Sequence, residues 1–224
     1  MESQKPKIAM YVKRPFGEKL NASFDFLKEN WKLLLKFITY LLLPLCLIQA
    51  LSLNGLMSGA LSISAIASST AMAASSSSLI AFGSYYGLYM FLYLIGIILL
   101  TSLAYGLIRT YNEREERLQG VTLGMLKPRL FRNIKRLLLM TGACILLVLF
   151  VGIFVGLLVA LTPFTLFLTI PFIIAFSVPL ALLAPIYLFE DITLMEAFKK
   201  TFRLGFATWG GVFLVSLLMG IIAN

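Results

Sequence analysis

Three long stretches of the 224-residue chain, 37–108, 137–189 and 204–224, contain no Asp, Glu, Lys or Arg. Few folds tolerate that. A soluble domain of this size carries about 25% charged residues, distributed along its surface. Here only 13% are charged, and 60% are hydrophobic. Within the charge-free stretches, five apolar runs come near the roughly 20 residues that a membrane-spanning helix needs. They are 33–53, 85–108, 137–160, 164–188 and 206–223, the last being the shortest. The expected fold class is therefore all-α: a polytopic α-helical membrane protein forming one transmembrane domain over 1–224, with five spans.

The 19 Lys and Arg fall into three blocks, Lys5–Lys36, Arg109–Arg136 and Lys199–Arg203, and the ten acids lie in or beside them. A net charge of +9 would raise nucleic acid as a partner in a soluble protein. Cations that recur after every second span instead follow the positive-inside rule. This places the N-terminus and all three blocks in the cytoplasm. Asn224 then ends on the outer side. Leu33–Leu53 is too long for a signal-peptide core of about 7–15 residues and follows a polar-rich segment, so it is read as a permanent first span.

The charged blocks have a pattern of their own. Leu20, Phe24, Leu27, Trp31 and Leu34 recur at helical spacing, with Glu18, Lys19, Asp25, Lys28, Glu29 and Lys32 on the remaining faces. Leu126, Leu130, Ile134 and Leu137 repeat the arrangement after a candidate N-cap at Thr122, with Pro128 early in the helix, where it costs least. Each block reads as a cytoplasmic amphipathic helix at the membrane interface, preceding spans one, three and five. Residues 54–84 hold ten Ser and many Ala. They read as a flexible outer loop, with a short helix on the outer leaflet as the alternative. The turn at 161–163, around Pro163, makes spans three and four a hairpin.

EKLNASFDFLKENW, residues 18–31, aligns without gaps on EAFKKTFRLGFATW, residues 196–209, and ends on the only two Trp in the chain. An internal repeat fixes architecture. Its unit is an amphipathic helix, a span out and a span back, at 18–108 and 122–188, with a partial third copy at 193–224. That pattern predicts a sixth span in a full-length chain, either beyond a truncated end or supplied by a partner.

The candidate sites are few. Glu190 and Asp191 adjoin span four. A carboxylate pair can serve metal or proton chemistry, but these two precede a capping box formed by Thr193 and Glu196, so they read as helix caps that complement the dipole. Arg129, Arg132, Lys135, Arg136, Lys199, Lys200 and Arg203 form a cationic inner collar suited to lipid headgroups, and anionic lipids are the expected partners. Trp31, Phe198, Phe202 and Trp209 read as interfacial anchors. Gly152 and Gly156 form a GxxxG read as a helix-packing site, as do Gly83 and Gly87.

Pro44, Pro171, Pro179 and Pro185 lie within spans and predict bends, three of them in span four. No charged residue accompanies them, which weighs against an ion-coupled transporter. Without a single His, a Ser-His-Asp set is impossible, and the commonest metal ligand is missing. There is no P-loop, no GxGxxG following a strand and no CxxC, so no cofactor is expected. Cys46 and Cys144 lie in apolar runs and imply no disulfide framework. The leading expectation is a non-enzymatic membrane protein of envelope or lipid homeostasis, or a membrane scaffold. The alternatives are a transporter or permease subunit for a lipid-like solute, which needs a polar cavity at mid-membrane, and a lipid-modifying enzyme. A homo-oligomer or a membrane partner is compatible with all three.

Three segments together resemble a known family: the amphipathic helix running into span one with the Ser/Ala-rich loop after it, VTLGMLKPRLFRNIKRLLL, and above all PLALLAPIYLFEDITLMEAFKKTFRLGFATWGG. The pattern is similar to that of the YciC-type bacterial inner-membrane proteins and of the membrane domain found beside glycerophosphodiester phosphodiesterase domains. The resemblance covers most of the chain and implies a six-span inner-membrane protein. It implies no activity and no functional residues, and the phosphodiesterase catalytic domain has no counterpart in this sequence.

Overall fold

The protein is described by a computed structural model covering residues 7–9, 12, 14–68, 76–162 and 164–223, with side chains excluded at 62–79, 222 and 223. Pro163, Asn224 and the loop centre at 69–75 lie outside the described residues. Among the described residues, seven helices follow in chain order: α1 (Phe16–Ser68), α2 (Ser76–Glu113), α3 (Leu123–Leu161), α4 (Thr165–Leu180), α5 (Leu183–Glu190), α6 (Leu194–Ala207) and α7 (Trp209–Ala223). The described residues contain no strand. The chain is an all-α, multi-pass membrane protein, with four helical stretches long and apolar enough to span and a fifth if α6 and α7 are taken together.

At about 1.5 Å per residue, α1, α2 and α3 each far exceed a hydrocarbon core of about 30 Å. Their lengths are 53, 38 and 39 residues. The amphipathic segments expected before spans one and three are therefore not separate helices in the membrane plane. They continue straight into their spans, because no Gly, Pro or turn residue interrupts Trp31–Lys36 or Ile134–Leu139. Only the third copy bends: α6 and α7 meet at 91° around Thr208. At 15 residues α7 is about 22 Å long, shorter than the hydrocarbon core.

The 54–84 stretch differs from the expected flexible loop. It is helical up to Ser68 and again from Ser76. Tertiary packing accounts for this. A Cβ on Gly55 would lie 2.5 Å from the Tyr85 ring, and one on Gly59 would lie 3.5 Å from Phe82 Cα, so small residues keep α1 against α2. Serine hydroxyls satisfy themselves on the preceding turn, Ser58 on the Gly55 carbonyl and Ser84 on that of Ile80.

Buried side chains concentrate toward the charged ends of the helices. Phe37, Leu103, Leu107, Tyr111, Leu118, Val121 and Leu126 form one core between α1, α2 and the start of α3. Leu183, Ile186, Tyr187 and Ala197 form a second between α5 and α6. Ile98, Leu137 and Leu188 form a third, which shares Met140 with the second. The apolar face of the second block thus packs on α2, with Leu126 and Leu137 buried, instead of lying on lipid. On α1, Phe24, Leu27 and Trp31 point outward, while Phe26 meets Tyr111 edge to face at 5.1 Å. The far half of α3 is bare: Leu146, Val148, Phe150, Ile153 and Leu157 are all exposed. A span needs no protein partner there, since lipid tails are as apolar as leucine.

Span four is interrupted at Ala181–Leu182, as its prolines predict. Proline has no N–H, so Pro179 leaves the Ala175 carbonyl without its i+4 donor. The Trp209 indole supplies one, donating to Ala175 O at 3.1 Å.

Candidate functional site

Polar side chains converge at the α5–α6 junction. Helix α5 ends at Glu190, and Asp191 follows with φ +54°, in the left-handed region. Asp and Asn tolerate that conformation better than other non-glycine residues. Glu190 and Asp191 thus belong to the C-terminal end of α5, not to the N-terminus of α6 as expected. The negative end of a helix dipole disfavours carboxylates, so these two need cations.

The cations come from elsewhere in the fold. Arg109 on α2 donates to the Asp191 carboxylate at 3.2 Å, and Arg132 and Arg136 on α3 donate to its other oxygen. Arg136 also donates to the Tyr187 and Ile192 carbonyls, both at 2.7 Å, and stacks 4.1 Å from the Tyr187 ring centroid. Arg109 reaches Leu188 O as well. Three arginines thereby cover the carboxylate and the last carbonyls of α5. Burial pushes the Asp191 carboxyl up, but the hydrogen bonds and charges of Arg132 and Arg109 outweigh it and hold the group below its ordinary range.

Beside this hub, Glu113 takes Arg109 and Arg129, and Arg129 also donates to the Thr110 hydroxyl. Lys200 pairs with Glu190 at 2.6 Å. The expected collar is therefore divided. Arg129, Arg132, Arg136 and Lys200 are engaged with acids of the chain itself. Lys135, Lys199 and Arg203 are exposed and form no ion pair among the described residues.

Thr193 and Glu196 form the capping box the sequence predicts, each side chain bonded to the other's backbone N–H. Hydrogen bonds from Thr193 hold the Glu196 carboxyl below its ordinary range. Of the expected anchors, Trp31 is exposed beside Lys32, whose ammonium lies 5.8 Å from the ring centroid. Phe198, Phe202 and Trp209 turn partly inward instead: Phe202 meets Phe176 of α4 at 5.8 Å, and Phe198 packs on the α5–α6 core.

Within the chain, neither GxxxG packs against another helix. A Cβ on Gly152 or Gly156 would meet nothing within 4 Å, and the same holds for Gly83 and Gly87. The glycine that seats a helix on the α4–α6 side is Gly205, whose Cβ would lie 2.6 Å from Pro179 Cα. No motif marks it. The usable signal is a lone Gly inside an amphipathic helix that lies near a proline-rich span.

A second polar cluster sits at the charged end of α1 and α2. The Tyr111 ring is fully buried, and its hydroxyl accepts from Ile8 N–H while donating to Glu29. Arg117 holds Glu29 at 2.6 Å, and Lys7 caps the end of α2 through the Asn112 and Arg114 carbonyls. Among the described residues no three His, Cys, Asp or Glu side chains gather as a metal cluster, and Cys46 and Cys144 are free thiols.

A cleft of about 580 Å³ opens between α1 and the start of α3. It is lined by Leu33, Lys36, Phe37, Thr39, Tyr40, Val121, Thr122 and Leu123. Thr122 is the N-cap residue of α3, as expected, but its side chain makes no capping bond.

No protein-family model, curated protein or solved structure matches the chain. The class that fold and site define is thus a multi-pass helical membrane protein with a charged, internally cross-linked end.

Proposed function

We propose that this is a non-enzymatic protein of the bacterial inner membrane that holds anionic lipid at its charged, cytoplasmic end, serving envelope or lipid homeostasis or acting as a membrane scaffold. The observation that carries this reading is the 91° bend between α6 and α7. It turns an amphipathic helix across the direction of its span, the attitude of an interfacial helix. Lys199 and Arg203 are exposed on that helix without an ion pair among the described residues, and Lys135 is likewise exposed on α3. Each such cation near an anionic surface contributes about 1 kcal/mol. The charge blocks support a cytoplasmic location for this end through the positive-inside rule. The resemblance to YciC-type proteins supports the bacterial inner membrane.

The non-enzymatic reading rests on the state of the acids. Glu190 is held by Lys200, and Asp191 is saturated by three arginines. Neither lines the cleft. A transporter needs a polar cavity at mid-membrane, whereas this cleft lies beside the last charged residue of α1.

Native mass spectrometry of the detergent-solubilised protein tests the proposal, with phosphatidylglycerol and phosphatidylcholine offered together. Preferential retention of phosphatidylglycerol is expected. Lys135→Ala, Lys199→Ala and Arg203→Ala combined should reduce it roughly a hundredfold, at about 1 kcal/mol per cation. Equal retention of the two lipids would overturn the reading. Thiol labelling of single cysteines placed at Lys28 and Glu115 tests the orientation, and labelling by an impermeant reagent in intact cells would reverse it.

A further inference from the structure

Four of the seven collar cations are engaged within the protein, so headgroup recognition needs another positively charged place. The cleft between α1 and α3 has the required chemistry. Leu33, Lys36, Phe37 and Tyr40 fall on one stripe of α1, spaced i, i+3, i+4 and i+7. Across from them stand Val121, Thr122 and Leu123. The lining is mostly apolar, with one cation and three hydroxyl groups, from Thr39, Tyr40 and Thr122, and none of these residues is acidic. Lys36 forms no ion pair among the described residues.

Position adds direction to this chemistry. Lys36 is the last charged residue of α1 before the charge-free run that begins at Phe37. On its α1 wall the cleft therefore runs from the last charged residue into the charge-free run. An occupant must be anionic at the level of Lys36 and apolar deeper in. About 580 Å³ lies within the range of small-molecule sites, roughly 300–1,000 Å³. That volume is too small for a helix of a partner protein, whose diameter with side chains is about 10–12 Å, but it admits a phosphate and part of an acyl chain.

We infer that the α1–α3 cleft is a binding site for one anionic glycerophospholipid, its phosphate on Lys36 with the Thr39 and Thr122 hydroxyls in reach and its acyl chain along Phe37 and Tyr40. The inference rests on the lipid-holding reading above and sharpens it: the specific site is this cleft, and the free collar cations are a diffuse attraction.

Native mass spectrometry with dioleoylphosphatidylglycerol separates the two. Lys36→Ala should weaken retention about fivefold, the effect of one cation near 1 kcal/mol. Thr39→Trp, an exposed position where added bulk enters the cleft, should abolish the tightest binding event with thermal unfolding unchanged. Lys36→Gln serves as a second charge variant should Thr39→Trp unfold. If both cleft variants retain the lipid as the unaltered protein does while the triple collar variant loses it, the cleft assignment is wrong and the broader reading stands. If no variant, nor the unaltered protein, prefers phosphatidylglycerol to phosphatidylcholine, both fall. Displacement of the lipid by millimolar inorganic phosphate would overturn a phospholipid as the occupant.

Discussion

At the scale of single residues, Asp191 is where charge and backbone meet. Its left-handed φ tolerates Asn, so Asp191→Asn removes the charge without new backbone strain. The variant leaves Arg132 and Arg136 with no counter-ion and Arg109 with Glu113 alone. The group is partly exposed, so the expected loss is modest, about 1–2 kcal/mol, read as a lower thermal midpoint in detergent. Asp191→Ala should cost about 1 kcal/mol more, because alanine resists the left-handed region. The pH dependence has a definite sign. A depressed folded pKa means the stabilisation is present above the unfolded value of about 3.9 and is lost as pH falls through the folded one. Stability should be flat on this account from pH 8 to 5 and fall below about pH 4, and Asp191→Asn should flatten that acid limb. Thr193 and Glu196 were legible because a capping box is local, i to i+3. The partners of Asp191 were not, since they lie 82, 59 and 55 residues away in sequence.

At the scale of elements, the hinge between α4, α6 and α7 decides the shape of the charged end. Gly205 lies against Pro179 with no room for a Cβ. Gly205→Ala should destabilise by about 1–3 kcal/mol through overpacking. Gly152→Ala, with open space around it, should shift stability by no more than about 0.5 kcal/mol. Comparing their unfolding midpoints checks which glycines seat helices, and equal effects would contradict the packing described. Trp209→Phe keeps the ring stacked on Phe213 but leaves the Ala175 carbonyl unpaired beside Pro179. A loss of about 0.6–2 kcal/mol is expected for a hydrogen bond at membrane depth. Sequence periodicity located the first two amphipathic segments, and the 18–31 alignment located the third. Neither separated the two that run straight from the one that bends, because that depends on Gly205 meeting Pro179 and on the turn at Thr208.

At the scale of the whole molecule, buried side chains are concentrated toward the charged end, and the far half of α3 is exposed. Unfolding should therefore be sensitive to substitutions near Tyr111, Asn133 and Tyr187 and indifferent to conservative ones along Leu146–Leu157. A truncation such as Leu137→Ala, in the buried junction, should cost about 2–5 kcal/mol, whereas Leu146→Ala should cost little. Similar losses at both positions would mean that the exposed half of α3 is packed.

Charge-free length, apolar runs and three basic blocks determined from sequence alone that the chain is helical and multi-pass, because a bilayer forces every backbone polar group to be satisfied within its own helix. The capping box and the interruption of span four were equally local, set by residues within a turn or two. Tertiary structure alone decided that 54–68 is helix with Gly55 and Gly59 against α2, that Asp191 gathers three arginines, that Gly205 and not Gly152 seats a helix within the chain, and that a cleft beside Lys36 stays open. Each of these depends on which distant side chains meet. Inside a membrane that choice is made by close packing and charge pairing, since the hydrophobic pattern that ordinarily distinguishes inside from outside is the same on every face of an apolar helix.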